Sequence, residues 1–195
     1  MSSTTMNPPQ TKFLNDVISH EMKIFADNDV NRTLRFSQPA RGNQYFYITT
    51  WPGHLCISGD MGTFVFSRLP DMFEFFRGDK EPNLGYWSEK LEAGNAKKYS
   101  EKEAEAAILN QLEYEDLNTE EIKTAKRYIK QLDLGSEHSF FQELMSWDDD
   151  EAGFQLDASE LGDCKEYTYH FTWCCHAIIW AIQQYDLAKA EPEAA

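Results

Sequence analysis

The sequence has no long apolar run. No stretch approaches the roughly 20 consecutive apolar residues that a bilayer-spanning helix needs, so no transmembrane helix is expected. Cysteine is scarce as well. Cys56, Cys164, Cys174 and Cys175 show no disulfide-framework spacing, and Cys174 and Cys175 are adjacent, so reduced thiols and a cytoplasmic location are the expectation. Met1 to Gln10 has neither a basic start nor an apolar centre and reads as a polar tail rather than a secretory signal. Gly59-Asp60-Met61-Gly62 lacks the Walker lysine and the Rossmann glycine spacing, which leaves a strand-joining turn as its reading; no Cys-x2-Cys motif, internal repeat or low-complexity linker occurs. No cofactor is implied. Basic residues are few, 18 Lys and Arg against 33 Asp and Glu, and they form no cluster interleaved with the aromatics. Direct nucleic-acid binding and attraction to an acidic membrane are therefore disfavoured.

What is present is acid, unevenly distributed. The net charge is −15. Residues 1–100 hold 11 acidic and 11 basic side chains, whereas residues 101–163 hold 18 acidic and 5 basic. A field concentrated in one third of the chain attracts basic partners, and solubility alone is the plainer explanation.

The densest aromatic and β-branched content lies between Gln44 and Arg77. Leu55 and Ile57 alternate with Cys56 and Ser58, and Phe64 and Phe66 with Val65 and Ser67, with turn chemistry at Trp51-Pro52-Gly53-His54 and Gly59-Asp60-Met61-Gly62. With Arg32–Phe36 and Gln44–Trp51 this predicts about four antiparallel strands. Leu69, Met72, Phe73 and Phe76 then continue as a helix face. Phe13, Leu14, Val17, Ile18, Met22 and Phe25 predict a first helix over 11–27. Tyr86 to Leu91 reads as a short helix. Ser100 with Glu103, Asn118 or Thr119, and Ser136 read as helix starts, with Gly135 a stop; Trp147 to Glu151 reads as an exposed charged loop. His170 to Lys189 is apolar around its whole circumference and should be buried. The expected fold is α+β: a four-stranded antiparallel meander packed against N- and C-terminal helices, with an acidic helical region. The reading treats 1–195 as one domain, comprising a flexible tail (1–10), a helix-plus-meander core (11–94), the acidic region (100–163) and the buried helix (168–189).

Three chemistries can be drawn from the residue types. His54 with Cys56, two apart on a strand, and His170 with Cys174, four apart on a helix, form two half-sites that a tetrahedral zinc ion would need to bring together. Cys174 or Cys175 with His176 or His54 and Asp60 could supply a nucleophile, base and orienting acid, although no local signature surrounds either cysteine. Trp51, Trp87 and Trp147 are candidate interface anchors, with core packing as the alternative. The acidic third permits the reading taken furthest. Carboxylates spaced over helices can imitate duplex phosphates and occupy a nucleic-acid-binding cleft. The residues chosen for such a face are Glu101, Glu105, Glu115, Glu120, Glu121, Asp133, Glu137, Asp148, Asp149, Asp150 and Glu151.

The segments Tyr-Ile-Thr-Thr-Trp-Pro-Gly-His-Leu (47–55), Gly-Asp-Met-Gly-Thr-Phe-Val-Phe (59–66), Asp-Met-Phe-Glu-Phe-Phe-Arg (71–77), Gly-Tyr-Trp-Ser-Glu-Lys-Leu (85–91) and Phe-Thr-Trp-Cys-Cys-His-Ala-Ile (171–178) resemble a family of small proteins carried by tailed bacteriophages and prophages. The resemblance covers about half the chain, leaves out most of the acidic region and supplies no catalytic residue. It implies a phage context in the bacterial host cytoplasm. The combined expectation is a non-enzymatic interaction protein that inhibits a basic, nucleic-acid-handling host defence complex, such as a CRISPR effector or a restriction enzyme. The alternatives are a phage structural or regulatory accessory protein and a cysteine- or zinc-dependent enzyme.

Overall fold

A computed structural model describes residues 8–39, 42–78 and 80–190. In chain order the elements are α1 (Pro8–Val17), β1 (Glu21–Asn28), β2 (Asn31–Ser37), β3 (Phe46–Trp51), β4 (His54–Gly59), β5 (Gly62–Ser67), α2 (Met72–Phe76), α3 (Leu84–Ser88), β6 (Leu91–Ala93) and β7 (Lys97–Tyr99), followed by α4 (Glu101–Tyr114), α5 (Thr119–Ile129), α6 (Glu137–Met145), α7 (Asp149–Ala152), a 3-10 turn (Ala158–Glu160), β8 (Lys165–Tyr167) and α8 (Tyr169–Ala190). The fold is α+β, with an antiparallel six-stranded sheet in the order β1-β2-β3-β4-β5-β6 and helices near both ends of the chain.

Where the sequence reading takes 1–195 as one domain, the packing resolves two compact units: residues 1–96 with 167–195, and residues 97–166. The second unit coincides closely with the acidic helical region.

In the first unit the sheet buries one face. Leu34, Ile48, Ile57 and Phe64 pair across β2 to β5 as one inward row, and Phe36 and Phe46 begin the next. This is the period-two alternation read from sequence. The buried layer includes α8 residues Phe171, Trp173, Cys174, Ala177, Ile178 and Ile182, together with Phe13 and Val17 of α1 and Met72, Phe73 and Phe76 of α2. Edge-to-face contacts knit this layer, among them Phe13 to Trp173 at 5.1 Å and Phe76 to Trp87 at 4.6 Å between ring centroids. Because α8 is apolar all round, it can pack on the sheet, α1 and α2 together. The row that begins with Phe36 and Phe46 continues at Gly59. Gly59 has φ of +154°, and a Cβ there would overlap the Tyr45 carbonyl oxygen.

Several expectations are corrected. Helix 11–27 stops at Val17; Met22 and Phe25 lie on β1, which pairs with β2 around a bulge between Ile24 and Ala26. Six strands form instead of four, because β1 and β6 extend the meander at its two edges. The short helix at 86–91 occupies Leu84–Ser88 and gives way to β6. Asp148 caps α7 with hydrogen bonds from the N–H groups of Asp150 and Glu151, so the acidic run at 147–151 is partly helical rather than a loop. The helix expected to run to Gly135 ends at Ile129. The tail 1–10 is helical from Pro8; its remainder and the tail 191–195 lie outside the described residues.

The second unit has its own core: Ala104, Ile108, Leu112, Ala125, Ile129, Leu134, Phe140, Phe154 and Leu161. Helices α4, α5 and α6 start where the sequence signals them. Ser100 accepts from Glu103 N–H, Ser136 accepts from Ser139 N–H, and Asn118 with Glu121 closes a full capping box. Strands β7 and β8 pair, with Ser100 N–H donating to the Cys164 carbonyl at 3.0 Å just beyond them.

Candidate functional site: an acidic helical unit

Residues 97–166 contain 19 acidic and 8 basic side chains, so this unit carries most of the negative charge of the protein. Its carboxylates fall into two groups. The first has structural partners. Glu121 accepts from Asn118 N–H at 2.8 Å in the capping box, Asp133 accepts from Gly135 N–H at 3.1 Å, and Asp148 caps α7. Glu120 pairs with Lys123 at 2.7 Å and Glu137 with Lys165 at 3.3 Å. Glu101, Glu120, Glu121, Glu137, Asp149, Asp150 and Glu151 all sit in first helical turns, where the helix dipole favours negative charge. Much of the acidity thus supports helix starts.

The second group has no such role in hydrogen bonding. Among the described residues, the carboxylates of Glu101, Glu105, Glu113, Glu115, Asp116, Asp149, Asp150, Glu151 and Glu160 accept no side-chain or backbone hydrogen bond and make no ion pair. All but the half-buried Glu105 are exposed. Glu101 and Glu105 line one surface depression with Lys98, Lys102 and Glu166. Glu115 lines another with Tyr114, Asp157 and Glu160. Of the acids selected from sequence, Glu101, Glu105, Glu115, Asp149, Asp150 and Glu151 are therefore available to a partner, while Glu120, Glu121, Asp133, Glu137 and Asp148 already have one.

The zinc half-sites do not converge. His54 and Cys56 share the sheet face opposite the core, as their spacing implies, whereas Cys174 is buried in the core and His170 is exposed at the start of α8. His54 stacks on Trp51 at 5.0 Å and its Nε2 contacts Glu92 at 3.1 Å. Cys174 Sγ meets the Met61 carbonyl at 3.6 Å. No group of three or more His, Cys, Asp or Glu residues with metal-holding geometry occurs among the described residues.

Burial works against the nucleophile reading. Burial pushes the Cys174 thiol up to about 12, and burial with the neighbouring Cys174 pushes Cys175 well above its ordinary value. Both thiols are thereby biased toward the protonated form. Asp60 is held at a surface turn, accepting from Gln44 N–H at 2.7 Å. Of the three tryptophans, Trp87 is core, Trp147 packs between Tyr128 and Phe154, and Trp51 alone is substantially exposed.

Sequence reasoning missed one cluster. On the outer sheet face Lys23, Arg35 and Tyr47 stand in one cross-strand row. Arg35 lies 5.9 Å from the Tyr45 ring centroid and 5.8 Å from that of Tyr47, while Lys23 lies 4.9 Å from that of Phe25. The residues are far apart in sequence, and only the strand register brings them together.

No helix among the described residues is long and apolar enough to cross a membrane. Comparison with known proteins gives no match: no family model fits the chain, and no curated protein or solved structure is detectably similar to it.

Proposed function

We propose that the protein is a phage-encoded, non-enzymatic interaction protein whose acidic unit occupies a cationic, nucleic-acid-handling surface of a host defence complex such as a CRISPR effector or a restriction enzyme. The observation that carries this reading is the set of exposed carboxylates in 97–166 that have no hydrogen-bonding or ion-pairing role within the protein. Such groups are free to meet Lys and Arg on another molecule, where they would compete with phosphates for the same charges. The resemblance of segments 47–55, 59–66, 71–77, 85–91 and 171–178 to phage proteins directs the choice of partner. The raised thiol pKa values support the non-enzymatic part, since they weaken the most direct nucleophile.

A second reading draws on the other group of carboxylates. Acids at helix starts and in local ion pairs serve the fold, as they would in a phage structural or regulatory accessory protein without mimicry.

Inhibition assays separate the two. DNA cleavage by a purified CRISPR ribonucleoprotein and by a restriction endonuclease is measured with the wild type and with a variant carrying Asp149→Asn, Asp150→Asn, Glu151→Gln and Glu115→Gln. These isosteric changes leave the caps at Asp148 and Glu121 intact. Mimicry predicts dose-dependent inhibition that weakens about tenfold or more in the variant and fades as salt rises. No inhibition by the wild type favours the accessory reading, and equal inhibition by both proteins would assign the inhibitory contact to a surface other than these four acids.

A further inference from the structure

Helix α6 presents an unusual stripe for a solvent-facing surface. Glu137, Phe141 and Met145 recur every fourth residue and so lie along one side of the helix. The neighbouring positions Phe140 and Leu144 pack into the core of the unit, Phe140 with 8% exposure. Phe141 and Met145 are left 61% and 74% exposed. Paired apolar side chains at helical spacing, uncovered within an acidic unit, contribute nothing to its core and favour association.

Beside Phe141 is an open depression of about 250 Å³ lined by Tyr99, Phe140, Phe141, Leu144 and Cys164, with Glu137, Asp163 and Lys165 at its polar rim. The two carboxylates are tethered by Lys165 at 3.3 Å and Lys97 at 3.0 Å. Past the end of α6 the chain places Asp149, Asp150 and Glu151, which have no partner of their own, so available acid follows the apolar stripe at its C-terminal end.

We propose that this face of α6 is the docking site for an amphipathic cationic helix. The partner inserts one apolar side chain into the depression, lays another along Phe141 and Met145, and directs Lys or Arg toward Asp149, Asp150 and Glu151. This rests on the reading of 97–166 as an acid-lined interaction surface and assigns its parts: the carboxylates set encounter rate and salt sensitivity, and the apolar stripe sets residence time.

The test uses the full chain and two synthetic peptides with equal Lys content. One alternates Leu and Lys at amphipathic helical spacing, and the other has every Leu replaced by Ser. Calorimetric titration is expected to show the Leu peptide binding about tenfold or more tighter than the Ser peptide. In the variant Phe141→Ser, Met145→Ser that preference disappears while the Ser-peptide affinity stays. Both side chains are exposed, so the variant should retain its circular dichroism spectrum and melting profile. Asp149→Asn with Asp150→Asn weakens both peptides together. Equal affinity of the wild type for the two peptides overturns the docking assignment and leaves the acidic-surface reading standing. Failure of both peptides to bind overturns the acidic-surface reading and the docking site with it. A concentration-dependent dimer in sedimentation that the Phe141→Ser, Met145→Ser variant abolishes would instead make a second copy of the chain the occupant.

Discussion

At the scale of single residues, two buried or half-buried groups link the fold to pH. Arg32 and Asp71 meet through two hydrogen bonds of 2.9 Å, Arg32 lies 4.6 Å from the Phe73 ring centroid, and Asp71 also caps α2 by accepting from Phe73 N–H. Burial works against the Asp71 carboxylate, yet Arg32 and the Phe73 N–H outweigh it, so its pKa lies below the ordinary 3.8. His176 is the opposite kind of case. Burial lowers its imidazole from 6.5, with Glu81 pulling the other way, and its ring stacks on Phe13 at 6.0 Å. In both cases the unfolded chain takes up a proton at a higher pH than the folded one. The His176 contribution is therefore complete above about pH 6.5 and declines as pH falls below it, and the Asp71 contribution declines only below about pH 4. Urea midpoints measured from about pH 7.5 to 5.5 should drop for the wild type, and His176→Gln should flatten that drop. An equal slope in both proteins would assign the dependence to other groups.

Single elements show what was legible in the sequence and what was not. Strands β3, β4 and β5 were legible because each has one buried and one outer face, which writes a period of two into Phe46 to Ser67. Helix α8 was legible because it is buried nearly all round. The starts at Ser100, Asn118 and Ser136 were legible because capping is local chemistry. Strand β1 was hidden because it is an edge strand with its side chains mostly exposed, so Met22 and Phe25 follow no burial rhythm and mimic a helical spacing with α1. The candidate site was only partly legible. Composition located the acidic unit, but whether a carboxylate caps a helix or stands free depends on partners such as Gly135 N–H or Lys165. Likewise, Phe140 and Phe141 are adjacent and equally apolar, and only the packing of α6 sends one inward and the other out. Turns allow a sharper test. Gly53 and Gly59 both have positive φ, but a Cβ at Gly53 meets nothing within 4 Å whereas one at Gly59 would lie 2.8 Å from Phe46 Cα. Gly59→Ala should cost about 2 kcal/mol or more and Gly53→Ala about 1 kcal/mol. Thermal melts that rank them the other way would refute the close approach of β3 to this turn.

For the molecule as a whole, the division into two units is the main physical fact. The unit at 97–166 has a separate core, built from α4, α5, α6 and the residues that follow them. Expressed alone, residues 97–166 should be helical and melt cooperatively, though below the temperature of the intact protein, because a chain of about 70 residues buries proportionally less surface. A gradual, non-cooperative loss of helical signal would mean that the acidic unit relies on the rest of the chain. Strands β7 and β8 hold the beginning and end of this unit side by side, with Ser100 bonded to Cys164 and, in the first unit, Thr168 N–H donating to the Ala96 carbonyl at 2.8 Å. An insertion whose two ends already meet can be lost, duplicated or exchanged in one recombination event, with the parent sheet needing only a short turn to close the gap. The sheet and α8 are in this sense a chassis whose closure does not depend on the length of chain carried between Ala96 and Tyr167.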